Sequence, residues 1–430
     1  MATTTEEIDS RVRVKTERGE FLGQLLTLSR GHSADLHEDF IRQLSALAVN
    51  LRRIFDGEGL ILRFDRSAAD FWRASAGTSV AFVDGGVARI ELPSAAPMGI
   101  RVGAYSVKIG DETEARETFS TELALVDELY SSKGWTFEDV FDDIQKMTDA
   151  ARIVGEASSA LKQLRSNSSL SAVFLHGPLI NPVAPYGTPG FPRFSEEAAK
   201  LLYGEASRSF TDDERHFVVL YRLILEKFAE LSKPVVGVVE RSIAPRPAIL
   251  LAHLDSMQNA GTLSPDDAQT IRDKLTQYRI NDAAIMSVML SRGEYCKPIA
   301  IDRQQPSNKW PQEWYAHIKA YPDALSTYIK SSDQADPFRV EMHENITAPD
   351  WILEMVYQTA RLLPNYGFPV GLDIVDKFAK VPNWMSRSIR KEHAVALLRS
   401  ALKSGEPKAV EFAKKVLTAR GRDWLFRPKA

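Results

Sequence analysis

Residues 79–92 read SVAFVDGGVARIEL, and the interpretation of the whole chain turns on them. An apolar run from Val80 to Val83 leads into Asp84; Gly85, Gly86 and a second strand-like run follow. β-Branched and aromatic residues suit a pleated, half-buried surface, and a Gly-Gly pair suits a tight turn. The stretch therefore predicts a buried strand ending in a carboxylate, a turn, and a return strand. A carboxylate at the mouth of an apolar strand is costly to bury without a cation, a metal or a set of amide donors. An ordinary Asp-Gly hairpin turn has the same local sequence, so a chemical role for Asp84 needs partners elsewhere.

Working outward, residues 1–56 read as helical. In EDFIRQLSALAVNLRRIF the apolar positions Phe40, Ile41, Leu44, Leu47, Ala48 and Leu51 keep a period near 3.6. Residues 79–109 read as three strands, SVAFVD, ARIEL and GIRVGAYSVKI, separated by Gly-Gly and by the Pro93–Pro97 turn. A long helical region is expected over about 112–166. A buried strand, SLSAVFLHG (169–177), follows, then a Pro/Gly-rich loop. A helix at about 211–232 leads to a second apolar strand, PVVGVVER (234–241).

The element order β-β-β-α-β-α-β predicts an α/β fold with a mixed sheet, in the order of a ribonuclease-H-like core. Residues 249–300 read as helices, STYIK (326–330) and PFRVEMH (337–343) as strands, and the chain from Asp350 as helical again. The expected divisions are an N-terminal helical region (1–75), a ribonuclease-H-like core (76–248), a helical insertion (249–325), and closing strands with basic C-terminal helices (326–430).

With 430 residues, 44% of them hydrophobic and 26% charged, the chain has the composition of a globular protein with a large core. Its longest apolar run, Ala283–Leu290 with Ser287 inside it, is far too short to span a bilayer, so no membrane partner is expected. The start, MATTTEEIDS, lacks the basic and apolar segments of a secretory signal, and the single Cys296 excludes an intrachain disulfide or a cysteine-based zinc site. A reducing cytoplasm is the expected compartment. The formal charge of −3 is unevenly spread: from Lys377 onward 14 Lys/Arg face 4 Asp/Glu, whereas residues 111–149 hold 12 acids and 3 bases. A basic C-terminal segment on an acidic body is the footprint of a polyanion partner, or simply of exposed helices. Arg387, Arg390 and Lys391 are its candidate phosphate contacts. No G-x-x-x-x-G-K-[ST] loop is present, so a motor acting with this sequence would be another chain.

Four residues are candidates for one catalytic, metal-binding site. Asp84 ends the first strand, Glu156 lies on the helix before SLSAVFLHG, His176 ends that strand, and Asp376 lies in FPVGLDIVDKFAKV. Acids and an imidazole could converge on one or two divalent cations; oxygen ligands suit Mg²⁺ or Mn²⁺, and an imidazole nitrogen shifts the preference toward Mn²⁺. Each also has a plain structural reading: Glu156 as a solvated helix residue, His176 as a strand-end cap, Asp376 as the partner of Lys377 or Lys380. Asp373, one turn earlier, is a weaker candidate.

In this order the motifs resemble the NurA family of nucleases, over roughly Ser79 to Lys380. AFVDGG matches that family's first Asp-Gly block at Asp84, and Glu156 stands 20 residues before His176, compatible with its helix Glu. PVVGVVERS and PFRVEM resemble its later strands, and FPVGLDIVDKFAKV its last block at Pro369, Leu372 and Ala379. Two positions depart from the pattern: His176 stands where the family has Asp, and Asp376 where it has His. Phe368 replaces the last block's Tyr, with Tyr366 nearby, and Glu240 stands where Lys is usual. A reciprocal Asp/His exchange keeps one carboxylate and one imidazole in the site.

The resemblance implies a manganese-dependent, homodimeric nuclease acting on DNA ends, fed by a hexameric HerA-type ATPase, in DNA repair or antiviral defence. The competing readings are a catalytically inactive adaptor that dimerises and docks on the ATPase, and an RNA-cleaving relative of the same fold.

Overall fold

The computed structural model describes residues 19–30, 41–89, 95–131, 137–187, 191–240, 247–302, 312–346 and 348–418. The chain forms two compact units, Met1–Ile61 with Ile243–Ser291, and Leu62–Ser242 with Arg292–Ala430. Helices with defined bounds are α1 (Arg42–Gly57), α2 (Ala68–Ala74), α3 (Phe137–Ser166), α4 (Glu196–Tyr203), α5 (Phe217–Ala229), α6 (Ala248–Ala260), α7 (Pro265–Gln277), α8 (Asp282–Met289), α9 (Gln312–Lys319), α10 (Pro349–Ala360), α11 (Val370–Ala379), α12 (Asn383–Ser404) and α13 (Pro407–Thr418). Residues 19–30 are helical as well.

The first unit is helical: α1, α6, α7 and α8. Pro247 precedes α6 and offers no side-chain cap. The buried Asp282 carboxylate, at the start of α8, instead accepts from the backbone N–H groups of Ile249 and Leu250 at 3.0 and 2.9 Å. That satisfies two donors a helix start leaves open and ties α6 to α8.

The second unit carries the sheet: β1 (Ile61–Arg63), β2 (Ser79–Arg89), β3 (Ala95–Lys108), β4 (Glu117–Ser131), β5 (Leu170–His176), β6 (Val235–Val239), β7 (Glu294–Cys296), β8 (Ile299–Ile301), β9 (Ala324–Lys330) and β10 (Phe338–His343). Their spatial order is β1-β7-β9-β10-β6-β5-β2-β3-β4, with β8 beside β9. β2, β3 and β4 form an antiparallel meander. β5 lies parallel to β2 and β6 parallel to β5, and β10 and β9 extend the sheet antiparallel. A three-strand meander whose first strand is flanked by one parallel crossover strand and then a second beyond it is the ribonuclease-H-like arrangement, so the expected mixed α/β fold is the observed one.

The pleat sorts the core into two layers. Ala81 and Val83 of β2 join Met147, Val154, Ala157 and Leu161 of α3 and Phe217, Leu220 and Ile224 of α5. Val80 and Phe82, one residue out of phase, join Phe174, Val236, Val340 and residues of α10 and α11, including Val356, Leu372 and Val375. Alternation at period two is what lets one strand serve both layers. Each such fully buried large side chain stabilises the fold by about 1.5–3 kcal/mol.

Three sequence expectations are corrected. Gly85 and Gly86 do not turn: β2 runs through them to Arg89, paired with β3 from Ser79↔Lys108 to Arg89↔Met98. The expected separate strand ARIEL is partly the end of β2, and its residues 90–92 lie outside the described residues. The glycines serve close approach instead. A Cβ at position 85 would stand 2.6 Å from Glu156 Oε1, and one at position 86 would overlap the Ala379 carbonyl.

Second, the helix expected over 112–166 begins at Phe137; residues 117–131 are β4. Phe119, Thr121, Leu123 and Leu125 alternate, while Leu123, Val126 and Tyr130 also fit a helical spacing. Pairing with β3 decides between the two periods. β4 thus supplies the third strand of the β-β-β-α-β-α-β order. Third, the stretch 249–325, read as helical, contains β7 and β8, both paired with β9. No helix among the described residues is long and apolar enough to cross a membrane.

Candidate metal centre

Phe82 of β2 and Phe174 of β5 are register partners, and their rings stack with centroids 5.4 Å apart. Asp84 and His176 stand two residues further along each strand. Residues two apart share a face, so both side chains emerge on the α11 side of the sheet. There His176 Nδ1 lies 3.0 Å from Asp84 Oδ2, and the Gly85 N–H donates to Asp84 Oδ1 at 2.8 Å. Asp84 is only 5% exposed.

α11 brings the third group. Its buried positions Leu372, Val375 and Ala379 face the sheet, and the helical period sets Asp376 at the edge of that face. The preceding Phe368 ring lies 5.4 Å from the His176 ring. Asp84, His176 and Asp376 each offer one ligand atom, and the three atoms lie within 4.8 Å of one another. Lys377 does not pair with Asp376: it binds Asp373 at 2.6 Å, which engages the weaker candidate, while the Lys380 charge still acts on Asp376.

Glu156 reaches the same region from the opposite layer. It is buried on α3, with Oε1 accepting from Arg152 Nη1 at 2.6 Å, so it is not a solvated helix residue. It stands apart from the three-residue group because Gly85, which it packs against, faces the other way from Asp84. Arg152, four residues earlier on α3, was not singled out by the sequence. The i, i+4 spacing was visible, but common on any helix.

The electrostatics follow from crowding acids in a partly dry site. Burial pushes the Glu156 carboxyl up to about 7; the Arg152 charge opposes this and the Asp84 charge adds to it. Burial also raises Asp376, reinforced by the Asp84 charge. For His176, burial lowers the imidazole value, but the Asp84 hydrogen bond and the charges of Asp84, Asp376 and Glu156 outweigh it, and the net shift is upward. His176, Asp376 and Glu156 are each biased toward holding a proton, and the first two join Asp84 in a donor set that a divalent cation fits. It would replace the protons and relieve the acid–acid repulsion.

The candidate phosphate contacts lie on α12. Arg387 and Lys391 are exposed, one turn apart; the side chain of Arg390 lies outside the described residues.

No curated protein matches the chain. Among solved structures it is similar to the NurA nuclease from Sulfolobus solfataricus, with 14% identity, 94% of this chain and 99% of that one covered, and a TM-score of 0.43. It is also similar to a NurA structure with manganese (10% identity, 85% and 98% covered, TM-score 0.39) and to NurA bound to dAMP and manganese (12% identity, 81% and 94% covered, TM-score 0.32). The NurA domain model matches residues 78–381, a span that begins just before β2 and closes just after α11. This chain belongs to the NurA family of nucleases.

Proposed function

We propose that this protein is a divalent-metal-dependent deoxyribonuclease that hydrolyses phosphodiester bonds at DNA ends. The observation that carries the reading is the convergence of Asp84, His176 and Asp376, from two strands and a helix, within 4.8 Å. In this reading those three hold the ion and Glu156 is the third carboxylate of the site. Mn²⁺ suits the mixed oxygen and nitrogen donors better than Mg²⁺, which demands near-ideal oxygen geometry. When bound, the metal supplies an activated water and charge stabilisation at the scissile phosphate. Asp84 is held by the Gly85 N–H and His176, so its carboxylate is oriented before any ion arrives.

Arg387, Arg390 and Lys391 would contact DNA phosphates. Family membership supports a homodimer working with a HerA-type hexameric ATPase in the cytoplasm, in DNA-end processing or phage defence.

Asp84→Asn tests the assignment. It preserves shape but removes a ligand charge and one of the two acceptor oxygens, so Mn²⁺-dependent cleavage of linear DNA should fall by roughly 100-fold or more with the fold retained. Near-wild-type cleavage by this variant would overturn the site. The exchanged Asp and His relative to the family pattern favour one second reading, the inactive adaptor. A wild-type protein that binds the ATPase but cleaves neither DNA nor RNA with Mn²⁺ or Mg²⁺ would establish it, and matched DNA and RNA substrates separate the two nuclease readings.

A further inference from the structure

One acid of the site is engaged away from the three-residue group. Glu156 Oε1 and Arg152 Nη1 are 2.6 Å apart, one helical turn from each other on α3. A Cβ at position 85 would stand 2.6 Å from Glu156 Oε1 and 2.9 Å from Arg152 Cγ, so glycine there is what admits the pair beside Asp84. The Glu156 side chain is 10% exposed and that of Arg152 29%, leaving part of Arg152 open to solvent.

We propose that Arg152 is a positioning residue that withholds Glu156 from the metal centre. The first divalent ion takes Asp84, His176 and Asp376, and Glu156 serves a second ion only when its pair with Arg152 opens. The inference rests on the metal-nuclease reading and adds an order of loading to it. A buried carboxylate can satisfy a guanidinium or a cation, and taking it from the guanidinium leaves a charge without its partner. That penalty falls on the second ion and spares the first, whose three donors lie outside the pair. It is offset when another anion meets Arg152. A phosphodiester suits a guanidinium's planar fork of donors, so arrival of substrate and loading of the second ion are linked.

The test counts bound Mn²⁺, supplied alone, by electron paramagnetic resonance and equilibrium dialysis, without reference to activity. The wild-type protein should bind one ion tightly and a second at least roughly tenfold more weakly. Arg152→Met should tighten the second ion by about tenfold or more and change the first far less. Arg152→Gln, with a polar head for the same space, is the second variant should the Met form fold poorly. Glu156→Gln should abolish the second ion and keep the first. Equal tightening of both ions in the Arg152 variants, as loss of one positive charge alone would produce, overturns the inference. So does a second ion indifferent to Glu156→Gln. A wild-type protein that binds no Mn²⁺ would instead overturn the metal reading itself.

Discussion

His176 and Asp376 are the two positions where the resemblance read from the sequence implies an exchange, and the structure sets both in one three-residue group with Asp84. An imidazole at the end of β5 and a carboxylate on α11 present the same two donor types as the reverse arrangement. If the exchange is compensatory, the two positions are energetically coupled. His176→Asp alone adds a third carboxylate to an already repulsive cluster, and Asp376→His alone leaves two imidazoles. Each should lower Mn²⁺-dependent cleavage by roughly tenfold or more. The double exchange should recover much of the loss, with a coupling energy of about 1–3 kcal/mol. Strict additivity in a double-mutant cycle would show that the two side chains do not share an ion.

At the scale of elements, the site depends on how closely α11 and α3 approach β2. Gly86 faces the C-terminal end of α11, where backbone would have to move to admit a methyl group. Gly86→Ala should therefore destabilise the protein by about 1–3 kcal/mol, the usual range for overpacking, and weaken Mn²⁺ binding by displacing Asp376. Urea titration and Mn²⁺ titration of the variant measure the two effects; an alanine accepted at no cost would contradict the packing described. On α12 the expected role is electrostatic. Arg387→Gln, Arg390→Gln and Lys391→Gln together should weaken DNA binding and flatten its salt dependence, by a slope of up to about 3 if all three meet phosphates. Unchanged binding at two salt concentrations would reduce this helix face to a soluble surface.

For the molecule as a whole, acid stability is governed partly by a histidine far from the metal centre in sequence. His216 is buried, its ring stacked on Trp314 with centroids 4.0 Å apart, and its Nδ1 accepts from the Val218 N–H at the start of α5. Burial lowers its pKa from 6.5 to about 4, with the charges of Arg193 and His317 acting the same way. The unfolded chain takes up this proton below about pH 6.5, while the folded one resists until about pH 4. Stability therefore falls as pH drops through that window, by roughly 3 kcal/mol from this group, and is not affected by it above about pH 7. His343, also lowered to about 4 by burial, acts in the same direction. Melting temperatures at pH 7.5 and 5 should show the loss, and His216→Phe should remove part of that slope. An identical pH dependence in the variant would exclude His216 as a source.

How much was legible in the sequence follows from the range of the forces involved. Strand SLSAVFLHG, strand PVVGVVER and the apolar face of α11 could be read because pleat and helix impose periods on a few neighbouring residues. Asp84 and His176 stood out because polar groups closing apolar strands are costly. The family resemblance, resting on such blocks, agrees with the match over residues 78–381. What sequence left open was decided by contacts between residues distant along the chain. β4 is a strand because β3 lies beside it, although its own apolar spacing suits a helix equally well. Gly85 and Gly86 run straight because α3 and α11 occupy the space their side chains would fill. Asp376 joins Asp84 and His176, while Glu156 is turned to Arg152, because the helices bearing the two acids pack on opposite faces of one sheet. Local sequence specifies which donors exist and on which element; only the stacking of layers sets which of them come together.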